Sequence, residues 1–358
     1  MFDRFAVVAI VLAAGAQFGC AWIGPKSIRS ARAAYNEAIT ATNSEQLLGT
    51  IVSMRYGEPS SLLAVSSITA SMHFTASGGA EFGIGRASNY AGNLTPLSAG
   101  ASFEENPTIS YTPVQGEKYL RQLLSPIPLD VALLLLGGFE TSPDVTMLLL
   151  RSVNGIQNVA AAPDAAAPAD DRFARMAALL GELARSGHVQ WVQQTGERPG
   201  FALLLEGEGD PYRQQVVALH GLLGLAPPQR AGRATRIPIA TGTGSDSGIP
   251  LRTRSLYELF AIAAASVEVP TEYLAMSVGP APPGNGNVAR GIRIHCSEDE
   301  PVNAMTAVER GGYWYWIDAT DAESKLVFRV LSALMSVQLT DAEDGDRARP
   351  LLTVPVSR

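Results

Sequence analysis

The chain has 358 residues, enough for about two domains, with 46% hydrophobic and 17% charged residues and a formal net charge of −7. That balance belongs to a packed protein and excludes a disordered or polytopic chain. Its three lysines, Lys26, Lys118 and Lys325, form no cluster, so a nucleic-acid partner is not expected.

Met1–Arg4 carries one arginine, Phe5–Ala16 is apolar, and small residues follow, which is the order of a secretory signal. The apolar run falls short of the roughly 20 residues that a membrane-spanning helix needs. A leader over residues 1–19 that is removed is therefore expected. Gln17-Phe18-Gly19-Cys20 resembles a bacterial lipobox at Gly19 and Cys20, while Gln17 and Phe18 depart from its aliphatic and small positions. Lipidation of Cys20 by palmitate-type chains is preferred over cleavage after Ala14-Gly15-Ala16, because the cysteine stands where the apolar run ends. Two or three acyl chains hold a polypeptide in a leaflet, each buried methylene contributing about 0.8 kcal/mol. Ala21 lacks the aspartate that retains lipoproteins at the inner membrane, which points to the outer membrane, facing the periplasm. The other cysteine, Cys296, implies no disulfide framework.

After the leader, Ser27–Thr40 has one apolar helical face, and Asn43 or Ser44 is placed to cap a second helix ending at Gly57. From Ile68 to Ile84 the even positions are apolar or small and the odd positions are polar or glycine, a period of two that predicts a β-strand. The alternation resumes at Leu97, Ala99, Ala101 and Phe103, so two long strands are expected to form a hairpin. A helix over Gly116–Leu124, a short buried helix or core segment at Val131–Gly137, an apolar strand at Val145–Leu150 and a turn at Asn154-Gly155 follow. Helix Asp171–Arg185, strands His188–Gln193 and Phe201–Leu205, and helix Pro211–Leu223 come next, the last capped by Asp210.

Ala226–Pro250, rich in Pro, Gly, Ser and Arg, reads as a boundary containing one strand, Ile237–Ala240. Ser255 and Glu258 form a capping box before helix Leu256–Ser266. Strands are expected at Ile292–Cys296, Met305–Arg310 and Tyr313–Ile317, the last two joined by Gly311-Gly312. Thr320 or Asp321 caps helix Ala322–Leu339, and Leu351–Val356 is strand-like. The class is α+β: N-terminal helices, a long amphipathic β-hairpin, and a mixed antiparallel sheet with packed helices in two lobes. The expected segments are a leader (1–19), a lipid-anchored helical segment (20–57), the hairpin (58–115), an α/β lobe (116–225), a linker (226–252) and a C-terminal α+β lobe (253–358).

Two blocks resemble a family of exported bacterial envelope lipoproteins whose role is uncharacterised. The first is Tyr35-Asn36-Glu37-Ala38-Ile39 with Glu45-Gln46-Leu47-Leu48, Arg55-Tyr56-Gly57 and Val65-Ser66-Ser67-Ile68. The second is Arg310-Gly311-Gly312-Tyr313-Trp314-Tyr315-Trp316-Ile317-Asp318 with Ser324-Lys325; the linking Tyr111–Glu117 fits as well. The resemblance implies an envelope location and no activity.

The four histidines, His73, His188, His220 and His295, have no zinc spacing. His295 and Cys296 would leave opposite faces of a strand. Gly83-Ile84-Gly85 has no helix behind it for a phosphate, and the glycines of Gly242–Gly248 lack a nucleophile-elbow register. Tyr313–Trp316 could form a ligand platform, although such a run more often fills a core. No catalytic, cofactor-binding or metal-binding residue is assigned, and no enzymatic activity is expected.

The leading expectation is a structural or assembly component of a cell-envelope complex, anchored to membrane lipid through Cys20 and working with protein partners. One alternative is a subunit of an oligomeric outer-membrane β-barrel export channel, a homo-oligomer with Ile68, Met72, Phe74, Phe82 and Ile84 facing lipid. A soluble sheet with one apolar face is preferred over that barrel, in part because Pro107 removes a ladder donor. The other alternative is a periplasmic small-molecule binding protein.

Overall fold

The structure, a computed structural model, describes residues 33–58, 62–80, 97–114, 117–138, 142–158, 172–194, 200–206, 212–226, 234–240, 248–274, 291–343 and 352–355. These residues form an α+β protein of two compact units. The first takes the described residues up to Ser60 and within Gly116–Asp341; the second takes those within Ser61–Gln115 and Ala342–Arg358.

The first unit opens with a single helix, α1 (33–55), where two were expected. Thr40, Thr42 and Ser44 donate their hydroxyls to the carbonyls of Asn36, Ala38 and Thr40, four residues back. Residues that read as caps therefore sit inside the helix with its ladder intact. Leu47, Leu48, Ile51 and Val52 are fully buried, whereas the first half is mostly exposed. Gly57, at φ 67°, ends the helix in the left-handed region.

Helices α2 (Glu117–Leu124), α3 (Leu129–Gly138) and α4 (Pro143–Leu149) lead into β3 (Leu150–Val153) and β4 (Ile156–Gln157). The expected strand Val145–Leu150 is thus helical up to Leu149. Ser142 accepts from the Asp144 amide at 3.2 Å and Pro143 sits in the first turn, so capping decides a run whose hydrophobicity has no period. Helix α5 (Arg172–Arg185), strands β5 (Val189–Gln194) and β6 (Gly200–Leu205), and helix α6 (Arg213–Leu222) follow. Tyr212 is the N-cap of α6 and makes no side-chain cap bond; Asp210 and Pro211 lie outside the described residues.

The stretch 226–252, expected to be a linker, carries β7 (Thr235–Ala240) and the start of β8 (Ile249–Thr253). Both belong to one six-stranded sheet ordered β4-β3-β8-β7-β6-β5, antiparallel except for the β7–β8 pair. Backbone pairing therefore runs across a stretch whose composition suggests a boundary. Gly248, at φ 137°, starts β8 in a conformation that side chains resist.

Helix α7 (Leu256–Ala265) begins with the expected capping box: the Glu258 amide donates to Ser255 Oγ, and the Ser255 amide donates to Glu258 Oε2 at 2.9 Å. It is buried nearly all round. A short helix, α8 (Thr271–Leu274), precedes β9 (His295–Ser297), β10 (Ala304–Arg310) and β11 (Tyr313–Asp318). These strands form an antiparallel sheet ordered β10-β11-β9. Gly311 and Gly312, at φ 61° and 82°, make the expected two-residue turn. Asp321 caps α9 (Ala322–Glu343) by accepting from the Ser324 amide.

The second unit is a sheet of β1 (Leu62–Ala80), β2 (Leu97–Val114) and β12 (Leu352–Pro355), ordered β1-β2-β12 and antiparallel throughout. The two alternations coincide in register: Ile68 stands opposite Ile109, Phe74 opposite Phe103 and Ala76 opposite Ala101. On the other face His73 stands opposite Glu104 and Thr75 opposite Ser102. A β-bulge between Val65 and Ser67 shifts the phase by one residue. It brings Val65, opposite Tyr111, onto the same face as Ile68. β12 continues the pattern, with Leu352 and Val354 opposite Tyr111 and Ile109.

Candidate functional site

A cluster of polar and aromatic side chains joins the end of α1 to α8 and the β9–β11 sheet. The C-terminal turn of α1 supplies Ser53, Tyr56 and, just beyond it, Glu58. Tyr56 and Tyr315 share a hydrogen bond of 2.5 Å between phenol oxygens, with rings 6.1 Å apart at 76°. Tyr273 meets Tyr56 edge to face at 6.1 Å, and Tyr313 meets Tyr273 in the same way at 6.0 Å. Four tyrosines thus form a continuous edge-to-face series, a favoured arrangement of ring quadrupoles. Tyr313 ends it by donating to Glu272 at 2.8 Å.

Arg310, the last residue of β10, ties the same joint from the other side. It donates to Ser53 Oγ at 2.7 Å, forms an ion pair with Glu58, and lies 6.0 Å from the centre of the Tyr56 ring. The two segments that carry the family resemblance, 35–57 and 310–318, therefore meet in space. The Ser324-Lys325 pair is also structural: the Arg293 amide donates to Ser324 Oγ, and Lys325 Nζ donates to the Ala319 carbonyl.

His295 and Cys296 diverge as strand neighbours. His295 lies against Trp316 at 5.3 Å and pairs with Glu268 at 3.2 Å, whereas the Cys296 thiol hydrogen-bonds Tyr315. The Cys296 amide donates to Glu268 Oε2. Burial pushes the Cys296 thiol above its ordinary value, Glu268 adds to the shift, and the bond with Tyr315 only partly opposes it. A thiol held protonated is a poor nucleophile. Burial and then the hydrogen bond with Tyr56 push the Tyr315 phenol far up, and burial also raises Tyr56. Both phenols stay neutral at physiological pH. Their hydrogen bond holds the end of α1 against β11.

Of the aromatic run, Tyr315 is fully buried, while Tyr313, Trp314 and Trp316 are half-buried. Tyr313, Tyr315 and Trp316 each meet a neighbouring ring. An open groove of about 520 Å³ lies elsewhere in this unit, between α1 and β10, lined by Asn36, Thr40, Ser44, Glu45, Met305 and Thr306 among others. Among the described residues no group of His, Cys, Asp or Glu could hold a metal ion, and no helix is long and apolar enough to cross a membrane.

Glu58 precedes the first residue of β1 by four positions in the chain. On the return, after α2, the Ile127 amide donates to the Arg254 carbonyl and Thr253 Oγ1 donates to the Ile127 carbonyl at 2.6 Å. Of the residues expected to face lipid, Ile68, Met72 and Phe74 occupy ladder positions opposite Ile109, Glu105 and Phe103. Phe82, Ile84 and the lipidation residue Cys20 lie outside the described residues. Spacing gave no sign of the tyrosine series, whose members are up to 259 residues apart; the one signal was that Tyr56 and Tyr315 both lie in the resembling blocks.

Comparison with protein-family models, curated proteins and solved structures yields no match to this chain.

Proposed function

We propose that this chain is an exported, lipid-anchored protein of the cell envelope that acts as an assembly component, joining a larger complex through its β1–β2 hairpin. The observation that carries the reading is the hairpin's pairing. Two strands of 19 and 18 residues stand in register, yet among the described residues only Thr108–Tyr111 of their outer edges is covered, by β12. Long open edges are templates for pairing with another chain, and proteins that do not use them shorten, twist or cover them. The leader and Cys20 supply the address.

Thr69 stands opposite Thr108, so the outer ladder can be excised between them and closed with an Asn-Gly turn. The mature chain with its hairpin intact, extracted in mild detergent, is expected to sediment as an oligomer. The variant lacking residues 70–107 is expected to sediment as a monomer. A monomeric full chain contradicts the proposal, as does an assembly that survives the excision.

A further inference from the structure

Resting on that assembly reading, we infer that the outer part of the hairpin is a membrane-crossing segment, and that its partner is a second copy of this chain, the copies closing edge to edge into a β-barrel.

β12 divides the hairpin in two. Beside it, residues 108–111 of β2 lie in a three-stranded sheet; beyond it, an unbroken ladder runs through eleven register pairs, from Ala70 opposite Pro107 to Ala80 opposite Leu97. Eleven residues at about 3.3 Å each extend roughly 36 Å, or roughly 28 Å along the normal at a tilt of about 40°, the height of a barrel's apolar band. A transmembrane strand needs about 9–11 residues. Pro107, which removes a ladder donor, sits at the inner end of this segment, where the three-stranded part takes over.

The polarity of the ladder fits the same division. One face carries Phe74 with Phe103, Ala76 with Ala101 and Ala80 with Leu97; the other is polar, with Thr75 opposite Ser102 and His73 opposite Glu104. The single charge on the apolar face is Glu105, opposite Met72 and two positions from the inner end. Near an interface such a charge costs little. Within the second unit the described residues supply no helix to lie on that face.

A two-stranded ladder in hydrocarbon leaves half its backbone groups without partners, and only closure removes the edges. The geometry names the closing partner. Copies inserted side by side place β1 of one beside β2 of the next, running antiparallel as within each copy, and β12 confines the contact on β2 to Leu97–Pro107.

The experiment uses the full lipidated chain with Cys296→Ser, so that one added cysteine is the only free thiol. Ala76→Cys, Ala101→Cys, Thr75→Cys and Ser102→Cys are each labelled with a fluorophore in vesicles of phosphatidylethanolamine and phosphatidylglycerol. Labels at 76 and 101 are expected to lose emission to nitroxide-bearing lipid and not to iodide, with the reverse at 75 and 102. The reference position Ser67→Cys is expected to respond to iodide alone. Quenching of all labels by iodide and none by the lipid overturns the barrel. If that protein still sediments as an oligomer, the assembly reading stands without it; if it is a monomer, both fall.

Discussion

Tyr56 and Tyr315, 259 residues apart in the chain, share a hydrogen bond of 2.5 Å between their hydroxyls. Tyr315 is only 2% exposed, so removal of its partner leaves a buried hydroxyl with the Cys296 thiol alone. Tyr56→Phe is expected to cost about 1–2 kcal/mol of stability. The double change with Tyr315→Phe is expected to cost about 1 kcal/mol less than the sum of the single ones, because the pair is coupled. Urea unfolding of the four proteins checks this; strictly additive costs would mean that the bond contributes nothing.

The same joint makes the protein sensitive to alkali. Tyr315 and Tyr56 have raised pKa values, chiefly through burial, and Tyr313 is pushed up to about 12, first by its hydrogen bond to Glu272. An unfolded tyrosine ionises near pH 10. The folded state therefore keeps protons that the unfolded chain releases, and the stability from these groups is complete below about pH 10 and lost as pH rises through the folded values. Tyrosinate absorbance followed during an alkaline titration is expected to show some of the ten tyrosines protonated until the chain unfolds. Reversible titration of all ten near the ordinary value would contradict this.

Gly248→Ala tests whether 226–252 belongs to the sheet. A Cβ at this position would collide with the Pro238 carbonyl of β7, and φ of 137° is one that alanine rarely adopts. A loss of at least about 2 kcal/mol is expected in thermal or urea unfolding. In a solvated linker the same change would be close to neutral or slightly stabilising.

Features written in short-range chemistry were legible in the sequence. The alternation from Ile68 onward, the Ser255–Glu258 capping box and the Gly311-Gly312 turn each depend on residues a few positions apart, and each is present. The apolar run Val145–Leu149 has no period that separates strand from helix, and Ser142-Pro143, which caps it, makes it helical. The break expected at Asn43 or Ser44 failed because a hydroxyl that can cap a helix can equally bond the carbonyl four residues back. Within 226–252 the strand expected at Ile237–Ala240 is present as part of β7, whereas β8 is hidden because proline, glycine and serine mark boundaries and short strands alike. The tyrosine series was not legible at all, since its contacts follow from how α1 and the β9–β11 sheet meet.

Everything proposed for the envelope depends on the chain being processed and acylated at Cys20. The most direct measurement is the intact mass of the membrane-extracted protein beside that of a Cys20→Ser variant. The expected result is a polypeptide beginning at Cys20 with acyl chains added, and a variant that carries none and no longer partitions with the membrane. A native product that keeps Met1, or one beginning elsewhere without acyl groups, would contradict the lipid-anchored assignment.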